Sequence, residues 1–168
     1  MDCIYSMENY EKINHKILFL DIDGVLNSKL YFKNSFNPDE NHSRFDAYSV
    51  YLLKKLVEEF SLTIVITSHW RSGMVEKLMS ELKRNELISF LHKDSFTPIL
   101  RSAQRGIEIK EWLDAHPEIN EYIIIDDNEN MLEEQKCRFV KTDAFAGLID
   151  ENYYNAREIL LSAESVKR

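Results

Sequence analysis

The chain has 168 residues, of which 44% are hydrophobic, and this composition is typical of one globular domain rather than of a disordered or fibrous chain. The formal net charge of −8 argues against extended nucleic-acid binding, because proteins of that kind need Lys and Arg to displace phosphate counterions. Two cysteines are too few for a disulfide framework. We expect Cys3 and Cys137 to be reduced thiols, with Cys137 in the core.

The sequence predicts neither a signal peptide nor a membrane span. The first sixteen residues carry charges throughout, and no stretch approaches the roughly 18 apolar residues of a membrane span. We therefore expect a cytoplasmic protein without membrane contact. Residues 1–168 are predicted to form one domain, with loose ends at 1–15 and 164–168 and a loop or short flap at 29–45.

Short apolar runs rich in Ile, Val and Phe recur along the chain, and they predict strands buried on both faces of a parallel sheet. These runs lie at 17–20, 62–67, 87–91, 122–126 and, more weakly, 137–140. Helical periodicity predicts one helix from Asp46 to Phe60, one around Met74 to Leu82, one ended by His116-Pro117, and one over 152–163. The alternation predicts a three-layer α/β sandwich around a parallel sheet.

Polar residues follow three of the predicted strands. Asp21 ends the first strand, Thr67-Ser68 the second, and Asp126-Asp127 the fourth. Ligands of such sheets bind beyond the carboxyl ends of the strands. Carboxylates with open positions suit Mg²⁺, and an ion between Asp21 and Asp126 would offset the repulsion between the acidic groups.

The stretch "DIDG" alone also fits a surface turn or a calcium loop. Val25 and Phe32 take the fifth and twelfth positions counted from Asp21, where an EF-hand loop needs oxygen ligands. Receiver domains also gather aspartates at strand ends, but their acidic pair comes first along the chain, whereas the pair at 126–127 comes last.

The ordered motifs resemble those of the haloacid dehalogenase (HAD) superfamily of phosphohydrolases. "LFLDIDGV", "IVITS" and "IIIDD" match its first, second and fourth motifs, and the resemblance covers roughly 16–150. "TSHWR", "RGIEIKEWL" and "TDAFAGL" further resemble a HAD branch described as domains in Swiss Army Knife RNA repair proteins. The resemblance implies a Rossmann-like fold, and the short segment 29–45 suggests a small or absent cap.

The resemblance assigns chemical roles to four aspartates. It implies that Asp21 attacks phosphorus, and that Asp23 protonates the leaving oxygen and later deprotonates water. Mg²⁺ would contact Asp21, the main-chain carbonyl of Asp23 and Asp126. Asp127 would be a second ligand or an acid beyond the ligands.

Hydroxyl side chains after the second strand are implied to hold the phosphoryl oxygens. Thr67 or Ser68 matches the second motif, and Thr67 is preferred. Either residue also fits the simpler role of capping the following helix.

Basic residues before the fourth strand are candidates for the third motif. Arg105 is preferred, Lys110 comes second, and Arg101 is a further candidate. Arg71 would add a phosphate or substrate contact, although each Arg also fits an ordinary solvated surface position. Among the histidines, His92 and His116 show no pairing in the sequence.

The function that the resemblance implies is a Mg²⁺-dependent phosphatase working through an aspartyl-phosphate. We expect its substrate to be a phosphorylated molecule, with a nucleotide or nucleic-acid terminal phosphate as the specific hypothesis and no extended nucleic-acid contact. Two alternatives stay open. One is a non-catalytic phosphate- or partner-binding module on the same fold, and the other is phosphotransfer to an acceptor other than water.

Overall fold

The fold is built on one parallel sheet. The computed structural model describes residues 16–34, 43–101 and 104–165. The strands of these residues are β1 (Lys16–Leu20), β2 (Leu62–Ile66), β3 (Leu91–Phe96), β4 (Glu121–Asp126) and β5 (Phe139–Lys141). Their order in the sheet is β3-β2-β1-β4-β5, and every pairing is parallel.

Helices connect the strands of this sheet. The α-helices of the described residues are α1 (Lys29–Asn34), α2 (Ala47–Phe60), α3 (Val75–Arg84), α4 (Arg105–Asp114) and α5 (Asp150–Ser165). Short 3-10 turns lie at His69–Arg71, Ile88–Phe90 and Glu133–Arg138. After β3 the chain returns across the sheet to the other side of β1, where β4 lies. The connecting helix α4 therefore lies on the opposite face from α2 and α3.

The two faces of the sheet pack against different helices, because successive side chains of a strand point in opposite directions. Leu18 and Leu20 of β1 pack in a core with α2, α3 and α5. Ile17 and Phe19 pack in a second core, which includes Trp112 of α4. The predicted three-layer α/β sandwich with a parallel sheet is therefore confirmed.

Helix α2 begins and ends where local chemistry predicts. The Asp46 carboxylate accepts a hydrogen bond from the Tyr48 peptide N–H at 2.8 Å, which satisfies a free donor of the first turn. The helix ends at Phe60, and Ser61 adopts a left-handed backbone with φ of 53°. The predicted start of this helix after Asp46 is confirmed.

Two predicted local features are wrong. The run 87–91 is mainly a 3-10 turn, and β3 instead runs from Leu91 through polar residues to Phe96. Because β3 is an edge strand, its partly exposed side chains lack the apolar run of a central strand. Cys137 is exposed, because its 3-10 turn buries Gln135 instead. The predicted loop or short flap at 29–45 begins with helix α1 and stays a prediction beyond it.

Of the predicted loose ends, residues 1–15 and 166–168 lie outside the described residues. Residues 35–42 of the predicted loop or flap lie outside them as well. Residues 164–165 belong to the end of helix α5. No helix of the described residues is both long and apolar enough to cross a membrane. The connections 21–46 and 97–104 are both shorter than a typical domain of about 50 residues or more, so neither accommodates a large cap.

Candidate active site

Strand register brings three predicted site residues to one edge of the sheet. Leu20 pairs with the last residue of β2 and with Ile125 of β4. The pairing continues by one residue, because the Asp21 N–H donates to the Ile125 carbonyl at 3.1 Å and the Thr67 N–H donates to the Leu20 carbonyl at 2.9 Å. Asp21, Thr67 and Asp126 are therefore neighbours at the carboxyl ends of adjacent strands.

Three carboxylates and one guanidinium form the centre of this edge. Carboxylate oxygens of Asp21, Asp126 and Asp127 lie within 4.8 Å of one another. Arg105, at the start of α4, donates from Nε to Asp126 Oδ2 at 2.7 Å and from one terminal nitrogen to Asp21 Oδ1 at 3.4 Å. We call Asp21, Asp126 and Asp127 the carboxylate cluster.

The carboxylate cluster holds more negative charge than Arg105 balances. Burial raises the pKa of Asp21, although the Arg105 charge opposes the shift. Burial and the neighbouring Asp21 raise the pKa of Asp126 to about 7, and burial also raises the pKa of Asp127. A divalent cation would offset the repulsion between these carboxylates, and an all-oxygen donor set fits a hard ion such as Mg²⁺.

Two hydrogen bonds orient the carboxylate of Asp23, which is exposed next to the carboxylate cluster. Its Oδ1 accepts from the Asn27 side-chain amide at 2.8 Å, and its Oδ2 accepts from the Trp70 indole N–H at 2.9 Å. Trp70 is buried, and no pattern in the sequence indicated its contact with Asp23. The metal contact through the Asp23 main-chain carbonyl stays a prediction.

Gly24 allows the chain to turn directly beneath Asp127. Its φ of +76° lies in the left-handed region, and a Cβ at this position would approach Asp127 Oδ2 to 2.4 Å. The Thr142 hydroxyl donates to the Gly24 carbonyl at 2.7 Å and fixes the turn from the other side. A side chain at this position would therefore displace Asp127.

We expect Gly24→Ala to raise the Mg²⁺ concentration needed for half-maximal thermal stabilisation by about tenfold or more, a loss typical of disturbed metal surroundings. Gly73→Ala is the matched control, because Gly73 also has a positive φ, +86°, but nothing within 4 Å of an added Cβ. Both variants carry a backbone cost of about 1–2 kcal/mol. Equal Mg²⁺ requirements in the two variants would contradict the contact between Gly24 and Asp127.

Arg71 is a buried residue, so the alternative of a solvated surface position is wrong. Its guanidinium donates to the Glu108 carboxylate at 2.5 Å. Its other hydrogen bonds go to the main-chain carbonyls of Thr67, Ser68, Thr97 and Pro98. These partners already occupy the guanidinium, and the predicted substrate contact of Arg71 stays a prediction.

Most of the chain matches one known protein family. A family model described as "HAD domain in Swiss Army Knife RNA repair proteins" matches residues 17–153, which is most of the chain. The chain belongs to this family. Membership indicates phosphohydrolase-type chemistry at the level of the HAD superfamily. The search of curated proteins gave no match.

The candidates for the third motif occupy different places in this HAD domain. Arg105 contacts the carboxylate cluster, whereas Lys110 lies on the exposed side of α4 and pairs with Asp114 Oδ2 at 2.6 Å. Arg101 is exposed in the connection before α4. The structure thus brings Arg105 to the site and does not bring Lys110 there.

Glu108 links the two buried arginines of the HAD domain, and our sequence analysis missed it. One of its oxygens lies 2.5 Å from Arg71 and 3.5 Å from Arg105, and the other accepts from the Leu100 N–H at 3.3 Å. Its spacing of three residues from Arg105 on one helix was a signal that the two side chains could pair.

The two hydroxyl candidates of the HAD domain have different surroundings. The Thr67 hydroxyl is buried, and it has no hydrogen-bond partner in the described parts of the chain. Ser68 Oγ accepts from the Trp70 N–H at 3.4 Å, and a hydrogen bond from Ser68 opposes the rise in the pKa of Asp21. Thr67 is therefore the hydroxyl that still lacks a partner.

Proposed function

We propose that this HAD domain is a Mg²⁺-dependent phosphatase that works through an aspartyl-phosphate on Asp21. The observation that carries the proposal is the carboxylate cluster, whose oxygens lie within 4.8 Å of one another beside Arg105. The exposed Asp23, oriented by two hydrogen bonds, supplies a proton-transfer group next to the proposed nucleophile.

In the first half of the proposed reaction, a carboxylate oxygen of Asp21 attacks the phosphorus atom of a phosphate ester. The bond between phosphorus and the leaving oxygen breaks, and Asp23 gives its proton to that oxygen. Arg105 holds Asp21 and Asp126 in place through its hydrogen bonds at 3.4 and 2.7 Å. The product is an acyl phosphate on Asp21.

In the second half, Asp23 takes a proton from water, and the resulting hydroxide attacks the same phosphorus atom. The bond between phosphorus and the Asp21 oxygen breaks, which releases inorganic phosphate, and the cycle ends with Asp21 as a carboxylate and Asp23 protonated, as both began. The Trp70 indole and the Asn27 amide keep the Asp23 carboxylate oriented for both proton transfers.

A metal ion and a hydroxyl group would stabilise the negative charge of the phosphoryl group during these steps. A Mg²⁺ ion held by Asp21, Asp126 and Asp127 would neutralise negative charge on the phosphoryl group when bound. The buried Thr67 hydroxyl, which lacks a partner among the described residues, is suited to donate to a phosphoryl oxygen.

The orientation of Asp23 favours catalysis over simple binding. A module that only binds phosphate needs no acid for a leaving group, yet the Trp70 and Asn27 side chains hold the Asp23 carboxylate at hydrogen-bond distance. Transfer to an acceptor other than water would use the same residues. Release of inorganic phosphate in the absence of an added acceptor distinguishes hydrolysis from such transfer.

We further propose that the substrate is a terminal phosphate of a nucleotide or nucleic acid in the cytoplasm. The family description names RNA repair proteins, and the short connections around the site leave it without a large cap. Arg71 and Arg105 are buried in internal pairs, so contacts beyond the phosphate fall to exposed cations such as Lys29 and Arg101. The net charge of −8 restricts recognition to the terminus.

The substrate proposal is tested by comparing kcat/KM for end-phosphorylated oligonucleotides, nucleotides, sugar phosphates, phosphopeptides and an aryl phosphate. We expect the oligonucleotides or nucleotides to be preferred. For the oligonucleotides, the slope of log KM against log salt should correspond to one or two phosphates, with a contribution of roughly 0.7 per phosphate of a single strand. A clear preference for a sugar phosphate or phosphopeptide would contradict the proposal.

A further inference from the structure

A second group of metal-ligating side chains lies away from the carboxylate cluster. Ligand atoms of His92, Asp94 and His116 come within 4.8 Å of one another. His92 and Asp94 belong to the edge strand β3, and His116 follows the end of α4. We call these three residues the histidine cluster, and their proximity corrects the expectation that His92 and His116 are unpaired.

The two clusters lie at opposite ends of α4. Arg105 begins this helix and contacts the carboxylate cluster, while His116 follows its last residue, Asp114. Ten helical residues span about 15 Å. His92 is likewise at the start of β3, whereas the carboxylates follow the carboxyl ends of their strands. The histidine cluster is therefore separate from the proposed phosphatase site.

Hydrogen bonding fixes the ring of His116 so that one nitrogen faces a carboxylate. Nδ1 lies 2.7 Å from the Trp112 carbonyl and must donate to it, because a carbonyl only accepts. The other nitrogen, Nε2, is 3.0 Å from Asp94 Oδ2. Two acceptor atoms at this distance need a positive centre between them, which is either a proton or a metal ion.

The backbone carbonyl behind His116 is the support that metal-bound histidines usually have. The His116 ring also stacks on Trp112, with ring centroids 3.8 Å apart, so its orientation is restrained. Asp94 is more than half exposed, so an ion from solvent can reach its oxygens and the carboxylate can adjust.

The ring of His92 completes the donor set. Its Nδ1 accepts the Asp94 peptide N–H at 3.1 Å, so this nitrogen carries a lone pair in the neutral ring, and a metal ion bound to Nδ1 would replace that hydrogen bond. The ring centroids of His92 and His116 are 5.4 Å apart. Tetrahedral zinc sites hold ligand atoms about 3.3 Å apart, which follows from metal–ligand bonds of about 2.0–2.1 Å, so the cluster needs a modest contraction. The exposed Asp94 side chain can adjust toward the two half-buried rings.

We propose that His92, Asp94 and His116 form a second metal site, which binds Zn²⁺. Two imidazoles and one carboxylate are the donor class of three-ligand zinc sites, with water in the remaining position. The all-oxygen carboxylate cluster, in contrast, suits Mg²⁺. A bound ion would join the edge strand β3 to the end of α4, the helix whose first residue is Arg105.

The test measures Zn²⁺ binding to the full chain by competition with a chromophoric chelator, in buffer containing excess Mg²⁺. We expect the wild-type chain to bind one equivalent more Zn²⁺ than Asp94→Ala, whose affinity at this site should fall by more than about tenfold. The double variant His92→Gln/His116→Gln should lose the same equivalent. His69→Gln is the matched control, because His69 is exposed and lies outside both clusters, and it should bind as wild type does.

Two results would overturn the zinc proposal. One is the absence of Zn²⁺ binding by the wild-type chain, and the other is unchanged binding in Asp94→Ala. Thermal unfolding in the presence of a chelator checks that Asp94→Ala folds, which is expected because the Asp94 side chain is largely exposed. A result from Asp94→Ala therefore stands even if the double variant fails to fold.

Discussion

Asp21→Asn is expected to lower kcat for phosphate ester hydrolysis by at least about 10⁴-fold, a loss typical of removing a nucleophile. An amide is a poor nucleophile toward phosphorus and a weaker ligand for a divalent ion than a carboxylate. Because burial raises the pKa of Asp21, the folded chain disfavours its charged form, so a neutral Asn should not destabilise the fold. Steady-state kinetics test the loss of kcat, and thermal unfolding tests the unchanged stability.

The matched control for this substitution is Asp114→Asn. Asp114 is an exposed carboxylate that pairs with Lys110 on the surface of α4, and its loss should leave kcat unchanged. Activity of Asp21→Asn within tenfold of wild type would remove Asp21 from the role of nucleophile. A loss of activity accompanied by unfolding would contradict the expected stability.

Arg71→Ala is expected to reduce the free energy of unfolding by about 3–5 kcal/mol, the range for breaking a buried ion pair from one side. The substitution leaves the buried Glu108 carboxylate without its 2.5 Å partner and removes donors from four main-chain carbonyls. Urea unfolding of the two proteins measures the difference.

Lys110→Ala is the control for Arg71→Ala, since it removes an exposed pair on the neighbouring helix and should not change the unfolding midpoint measurably. The contrast separates an interior role of Arg71 from the substrate contact suggested by the sequence. If Arg71→Ala kept wild-type stability and only raised KM, Arg71 would be a substrate contact after all.

The central strands and their polar ends could be predicted from the sequence. Apolar runs such as 17–20 mark strands covered on both faces, and the residue after each run must lie at the edge where ligands bind. Asp21, Thr67 and Asp126 follow from that rule alone, and the register confirms that they are adjacent. Their chemical roles stay a proposal.

Side chains brought together by non-local packing could not be predicted. Arg71 is the last residue of the 3-10 turn that Ser68 caps. Nothing in the sequence around it shows that Glu108 of helix α4 pairs with its guanidinium. His92 and His116 lie on β3 and after α4, so only the packing of that helix on the sheet makes them neighbours. Such contacts depend on the placement of whole elements.

The central claim, a covalent intermediate on Asp21, is tested most directly by trapping it. Asp23→Asn should accumulate the acyl phosphate from an aryl phosphate, because a good leaving group needs little acid while hydrolysis still needs the Asp23 base. Borohydride reduction of the acid-quenched protein, followed by peptide mass spectrometry, should show homoserine at position 21. Homoserine at another aspartate, or no reduced aspartate under conditions where aryl alcohol is released in a burst, would contradict the claim.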